Sequence, residues 1–237
     1  MSARASVLAL ALLALGCGDD AVIVLSAAST GDVLAGVAHG ESGASRPTVV
    51  SVAASSVLAR QVARGAPADV FVTADPAWID WLVGEGVAVA ERRVVATGAL
   101  VVVGPSGAAP APDLAEALRD ARRVALADPS HVPAGQYAQE ALEEAELWAD
   151  VAPRVVAVGD VRAALAAVET GVVDRAVVYA SDAAASARVR VVAVVPHAPV
   201  VFEAALLSPR GRAVFEAITG PGSSARWAGA GFGPADR

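Results

Sequence analysis

Four turns along this chain combine small or polar residues with the start of a helix. They fall at Ser29, Ser55, Ala134 and Val161, each after an apolar run of strand length. The first residues of a helix have backbone N–H groups with no intrahelical acceptor, and they sit at the positive end of the helix dipole. A helix start with hydroxyls and no bulk suits an anion. The clearest case lies in AASSVLARQVARGAPADVF, Ala53 to Phe71. Here Ser55 and Ser56 stand where a helix begins, and a serine there can accept from the first free amides. In the HVPAG turn, Pro133 has no N–H, so the first donor falls on Ala134. Tyr179 ends another apolar run and would carry its hydroxyl to the same edge. Taken singly, each turn also fits an ordinary capped helix.

The elements that must position these turns alternate. Val22–Leu25, Thr48–Val52, the run reaching Phe71, Val124–Ala127, Val155–Val158 and Ala176–Tyr179 read as strands. Helices are expected from about Asp32, from Ser55, from Ala74-Asp75-Pro76, over Leu114–Leu118, from the HVPAG turn through Leu147, and over Val161–Glu169. In the Ser55 helix, Leu58 and Val62 share one face, Arg60, Gln61 and Arg64 the other, and Gly65 followed by Pro67 ends it. Val94–Val103, Val189–Val195 and Val200–Leu207 add strands, and the C-terminal stretch is helical. Strands alternating with helices predict an α/β protein with mainly parallel sheets. In such sheets ligands sit at the carboxyl edge, where the helices begin.

Composition narrows the function. The net charge is −7, which disfavours nucleic acid as a partner. There is no lysine; all 18 basic residues are arginine, which removes P-loop, Schiff-base and Ser–Lys chemistry. One cysteine, Cys17, excludes an intrachain disulfide and a thiolate-rich metal site. At the N-terminus, Arg4 precedes an apolar core, Val7–Leu15, and then Gly16-Cys17. This resembles a lipoprotein-type signal over residues 1–17 with Cys17 as the lipidation candidate; a plain secretory signal with an incidental cysteine is the alternative. Either way the mature protein is expected to work outside the cytoplasm, in the periplasm. No later stretch is long and apolar enough to span a membrane, so the membrane is reached only through a lipid on Cys17.

SAAST (Ser26–Thr30), SSVLARQVARGAPADVFVTAD (Ser55–Asp75), DPSHVPAGQYAQEAL (Asp128–Leu142), DVRAALAAVE (Asp160–Glu169) and VVYASDA (Val177–Ala183) follow one another in the order of a known family. On these blocks the chain resembles the molybdate-binding proteins of bacterial ABC importers. The resemblance implies a two-lobed periplasmic-binding fold of type II, each lobe a mainly parallel sheet flanked by helices, with the ligand in the cleft. It implies one lobe from residues 21–99 and 199–237, the other from 100–198, with crossings near Gly98–Val101 and Val195–Val200. It implies contacts to an oxyanion from the hydroxyls and amides of Ser29 and Ser55, the amides of Ala134 and Val161, and the Tyr179 hydroxyl. It further implies molybdate or tungstate as ligand, no cofactor, no directly bound metal, a monomer, and a permease and an ATPase as partners. Thr30-Gly31 replaces a Leu-Thr pair usual in the family, and Gly98 stands where an asparagine is common.

The residue types fit that ligand. Molybdate and tungstate are dianions without a proton near neutral pH, so their oxygens only accept; amides, serine and tyrosine hydroxyls supply donors without a carboxylate. Sulfate or another small tetrahedral oxyanion is the alternative. Asp160 could look like a metal ligand or a base, but reads as the cap of its own helix. His131 could suggest a secreted serine hydrolase; with no G-x-S-x-G elbow, it reads as a turn-shaping residue. His39 and His197 lack metal spacing with it. Trp78 and Trp81 read as lobe core or surface.

Overall fold

The computed structural model describes residues 20–37 and 46–235. The expected signal segment, Cys17 and His39 lie outside the described residues. In chain order the strands are β1 (Val22–Ala27), β2 (Thr48–Ala53), β3 (Val70–Thr73), β4 (Glu91–Gly98), β5 (Leu100–Pro105), β6 (Val124–Ala127), β7 (Val155–Val158), β8 (Arg175–Tyr179), β9 (Val189–Val194) and β10 (Val200–Leu206). The helices are α1 (Gly31–Gly36), α2 (Ser55–Ala63), α3 (Ala77–Gly84), α4 (Leu114–Arg119), α5 (Pro133–Glu144), α6 (Trp148–Val151), α7 (Val161–Glu169), α8 (Ala180–Ala184), α9 (Arg212–Thr219) and α10 (Ser224–Gly229). They flank two five-stranded sheets, ordered β2-β1-β3-β10-β4 and β7-β6-β8-β5-β9. None of the described helices is long and apolar enough to cross a membrane.

The sheets are mixed rather than mainly parallel. β1 pairs parallel with β2 and β3, and β6 with β7 and β8. β10 runs antiparallel to β3 and β4, and β5 antiparallel to β8 and β9. Connectivity explains this. β4 passes to β5 through Ala99 alone, and β9 reaches β10 across residues 195–199, so each link carries the chain directly from one sheet to the other. Each link leaves one sheet at the edge facing the other sheet and enters the second at its own facing edge. The entering strand therefore runs away from that edge, against neighbours that run toward it. The carboxyl ends of β1, β2, β3, β6, β7 and β8 consequently face one cleft.

Local sequence sets the elements. In α2, Leu58, Ala59 and Val62 are buried against Leu25 and Phe71 of the first sheet, beside Ile79 and Leu82 of α3, while Gln61 and Arg64 are exposed. Gly65, with φ at +91°, ends α2 as its sequence position indicates. The opposite face of that sheet is covered by Val33 and Leu34, by Val214, Phe215 and Ile218, and by Trp227. Trp78 and Trp81, half-buried on α3, form an edge-to-face pair 5.5 Å apart, with Arg60 above Trp78.

Two expected boundaries shift. α5 ends at Glu144 instead of Leu147; Glu146 takes φ of +59° and α6 begins separately. The first helix begins at Gly31, behind a one-turn 3-10 segment over Ala28–Thr30. Gly31 is in close contact with β2, where an added Cβ would lie 3.2 Å from Val52.

Gly135 brings α5 against the end of β6 so closely that a Cβ would lie 2.0 Å from the Ala127 carbonyl oxygen. Backbone cannot yield as a side chain does, so Gly135→Ala is expected to destabilise by about 1–3 kcal/mol or more. Gly107→Ala, facing open space, is the control. Denaturant melts of the two variants check this: a lowered midpoint for the first and an unchanged one for the second.

Candidate functional site

Between the facing edges lies a small pocket of about 230 Å³. Ala27, Ala28, Ser29, Ala54, Ser55 and Ala74 line it from the first sheet, and Val132, Pro133, Ala134, Asp160, Val161 and Tyr179 from the second. All five positions singled out in the sequence, Ser29, Ser55, Ala134, Val161 and Tyr179, meet here, each with less than 5% of its surface exposed. Its interior leaves room for only a small group, so this space suits a compact ion more than an organic ligand. Five of its twelve lining residues are alanine, so most of the wall carries no more than a methyl group.

The polar groups reaching the pocket are donors. α5 begins at Pro133 after Val132, and the amides of Gly135 and Gln136 bond the Val132 carbonyl at 2.9 and 3.0 Å. Because Pro133 has no N–H, Ala134 holds the free amide of that turn. In α7 the Asp160 carboxylate accepts from the Ala163 amide at 2.9 Å, and the Asp160 carbonyl accepts from Ala164. That leaves Val161 and Arg162 as the amides without an intrahelical acceptor. It also turns the one carboxylate lining the pocket into its own helix, the capping role read from the sequence.

Ser55 departs from its expected role. The cap of α2 is Ala54, with no side-chain cap bond, and Ser55 is the first helical residue. Its hydroxyl accepts from the Ala74 amide at 3.1 Å. Its proton is therefore free to point elsewhere. Thr30 donates to the Ala27 carbonyl at 2.8 Å and steadies the turn carrying Ser29. The Ser29 and Tyr179 hydroxyls are buried with no hydrogen-bond partner among the described residues. Such groups are costly to keep unless an acceptor meets them. Burial, with Tyr137, Asp182 and Asp75 nearby, holds the Tyr179 phenol well above its ordinary pKa, so it stays a donor.

Four hydrogen bonds join the two sides around the pocket. The Ser56 hydroxyl meets His131 Nδ1 at 3.0 Å. The Tyr137 hydroxyl donates to the Ala74 carbonyl at 3.4 Å. Arg162 donates to Asp32 Oδ2 at 2.7 Å and to the Ser29 carbonyl at 3.3 Å. Arg162 also lies 2.6 Å from Asp182 Oδ1, an ion pair off the line of a good hydrogen bond. Asp182 is fully buried, and burial pushes its carboxyl up to about 7 against the pull of Arg162. Beneath the pocket, Tyr179, Phe202, Phe232 and Trp227 form a row of edge-to-face rings 5.0–5.3 Å apart. Gly98 makes room for it: a Cβ there would lie 2.8 Å from Phe202.

Sequence reading missed Tyr137, Arg162 and Asp182, and saw in Ser56 only a helix-start serine, though all four fall within the blocks quoted above. Ser56, His131 and Asp128 bear on the hydrolase reading, because they superficially form a Ser–His–Asp set. Yet Ser56 is wholly buried, His131 Nε2 is 4.0 Å from Asp128, and that carboxylate accepts from the Ser130 amide. A serine closed to solvent and a carboxylate beyond hydrogen-bond reach make no triad. Among the described residues no cluster of His, Cys, Asp and Glu could hold a metal ion.

This arrangement is that of a binding protein, and by its sequence the chain belongs to the bacterial extracellular solute-binding protein family, whose model matches residues 22–231. The molybdate-binding protein ModA of Haemophilus influenzae is 40% identical over 198 residues, covering 78% of both chains. ModA of Escherichia coli is 38% identical, covering 72% of this chain and 70% of that protein. Among solved structures, the periplasmic molybdate-binding protein of Azotobacter vinelandii superposes with a TM-score of 0.75 at 22% identity, over 89% of this chain and 98% of that one. The sulfate-binding protein SubI of Mycobacterium tuberculosis gives 0.78 at 18% identity, over 92% and 88%. These two structures share the type II periplasmic-binding fold with this chain.

The chain has two tyrosines, and burial raises both phenols, Tyr137 and Tyr179. An unfolded tyrosine ionises near pH 10. The unfolded state thus releases protons at a lower pH than the folded state, so stability is intact below about pH 10 and falls above it. An alkaline titration read by phenolate absorbance is expected to show little ionisation at about pH 10.5 in folded protein and most of it in denaturant.

Proposed function

We propose that this protein captures molybdate, and tungstate with it, outside the cytoplasm and hands it to the permease and ATPase of an ABC importer. The carrying observation is the pocket itself: hydroxyls and free helix-start amides converge from both sheets on a compact space, with no carboxylate turned into it. The 40% identity to a molybdate-binding protein over most of both chains supports the choice of ion. Fold likeness does not choose, because a sulfate-binding protein superposes equally well.

In this reading Ser29 and Ser55 donate through hydroxyl and amide, Ala134 and Val161 through their amides, and Tyr179 through its phenol. The dianion's four oxygens accept all of them, and the orphaned Ser29 and Tyr179 hydroxyls gain their partners. Each hydrogen bond to a charged ligand contributes on the order of 1.5–3 kcal/mol. Roughly five to seven of them offset the several kcal/mol lost in immobilising the ligand and closing two lobes. Attraction is local, since a chain of net charge −7 does not draw anions from a distance. Residues 21–99 with 199–237 act as one lobe and 100–198 as the other, closing on the ion. The protein works as a monomer, without catalysis or cofactor. A lipid on Cys17 tethers it to the membrane.

Calorimetric titration of the mature protein with molybdate, tungstate and sulfate tests the reading. Heat and thermal stabilisation with the first two, and displacement of neither by sulfate, are expected; silence with both rejects it. Tyr179→Phe and Ser55→Ala are each expected to weaken molybdate binding by about tenfold to a hundredfold, the equivalent of 1.5–3 kcal/mol. Melting of ligand-free Tyr179→Phe should stay near the parent's, because it removes a hydroxyl that bonds nothing else, whereas ligand-free Ser55→Ala should melt lower, because it leaves the buried Ala74 amide without its acceptor. If both variants bind like the parent, the site is elsewhere.

A further inference from the structure

Arg162 stands beside Val161 at the start of α7, and its side chain turns from the pocket toward the first sheet. It reaches the Ser29 carbonyl at 3.3 Å and Asp32 at 2.7 Å, both more than 125 positions away in sequence. Its third partner, Asp182, belongs to its own side, on α8. Asp182 has no exposed surface, Arg162 keeps 29% of its side chain exposed, and Asp32 keeps 65%. The guanidinium is thus anchored at one end by a buried carboxylate and free at the other to engage or leave. A second cavity, lined by Ser29, Asp32, Arg162 and Ser181 together with Ala230 and Phe232, lies around it.

We infer that Arg162 is a positioning residue that clasps the two sides of the cleft, holding Ser29 against the start of α7 and slowing release of the bound oxyanion. The inference rests on the oxyanion-binding reading. Arg162 is not among the residues that line the pocket; it acts through Ser29, which does line it and whose carbonyl Arg162 binds. One side chain thereby ties together the backbone of two proposed donors, Ser29 and Val161, from opposite sides. Asp182 holds the guanidinium in line before the sides meet, so little side-chain freedom is lost when Asp32 is engaged.

The exposed arm is too weak to shut the cleft by itself, because an exposed ion pair contributes little and is screened by salt. Bringing the sides together also buries the Ser29 and Tyr179 hydroxyls, which is unfavourable until an acceptor lies between them. The clasp consequently acts on the loaded protein, where opening must break it along with the ligand's bonds. Its effect belongs in the rate of release more than in the rate of capture.

Asp32→Asn tests this without disturbing the fold, since Asp32 is mostly exposed. Release of molybdate, followed by chasing with excess tungstate, is expected to be about three- to tenfold faster than in the parent, with association within about twofold. Asp32→Glu should restore slow release, and the ligand-free melting temperatures should match. Arg162→Gln with Asp32→Asn should release no faster than Arg162→Gln alone, since both changes break one interaction. Equal release from the parent and Asp32→Asn, a change confined to association, or additive effects in the double variant would each overturn the clasp while leaving the oxyanion reading intact. A parent that binds neither molybdate, tungstate nor sulfate overturns both.

Discussion

A hydroxyl shut away from water must find an acceptor, and three here, on Ser29, Tyr179 and Ser181, find none among the described residues; the first two line the pocket. The rest of the pocket is arranged around that constraint. Helix starts contribute amides whose acceptors cannot lie within their own helices, proline removes an amide that would be surplus, and alanine keeps the walls thin. The carboxylate that could have answered these donors, Asp160, is committed to the Ala163 amide. Electrostatics is settled by dipoles and hydrogen-bond direction, with no cationic side chain among the described residues that line the pocket. That is the means by which an acidic protein can favour an anion.

Geometry at larger scale serves the same end. The parallel strands on each side deliver their carboxyl ends to one cleft, and the helix starts follow because each helix begins where its strand stops. The two links between sheets run along the bottom of that cleft, beside the row of rings from Tyr179 to Trp227. Tyr179 is therefore both a wall of the pocket and the first ring of the packing that joins the sides. Its position is fixed by neighbours from the other sheet, Phe202 above all, and not by its own strand alone.

Much of this was legible in sequence because it is governed by local chemistry. Gly65 stops α2, Asp160 caps α7 and Pro133 opens α5, each for reasons contained within a few residues. The strand–turn–helix order likewise brings Ser29, Ser55, Ala134, Val161 and Tyr179 to one edge. What escaped depended on partners far along the chain. Ser55 looked like a cap, but its oxygen is taken by the Ala74 amide of the next loop. The alternation of strands and helices suggested parallel sheets, yet the two short links force antiparallel strands into each. The run after Leu142 is rich in alanine and glutamate and reads as continuing helix; the chain instead breaks at Glu146. Arg162 gave no signal, because nothing near it in sequence announces Asp32 or Asp182.

The place of β10 has a consequence for how the molecule is assembled. It sits inside the first sheet, between β3 and β4, although it is made after every strand of the second sheet. As the chain emerges, β5 to β9 can pair among themselves without waiting for later residues. The first sheet meanwhile keeps two unsatisfied edges, on β3 and β4, and such edges invite pairing with other chains. The strand that seals them arrives only with residues 200–206, so the last strand to be inserted is also the one that ties the halves into a single body.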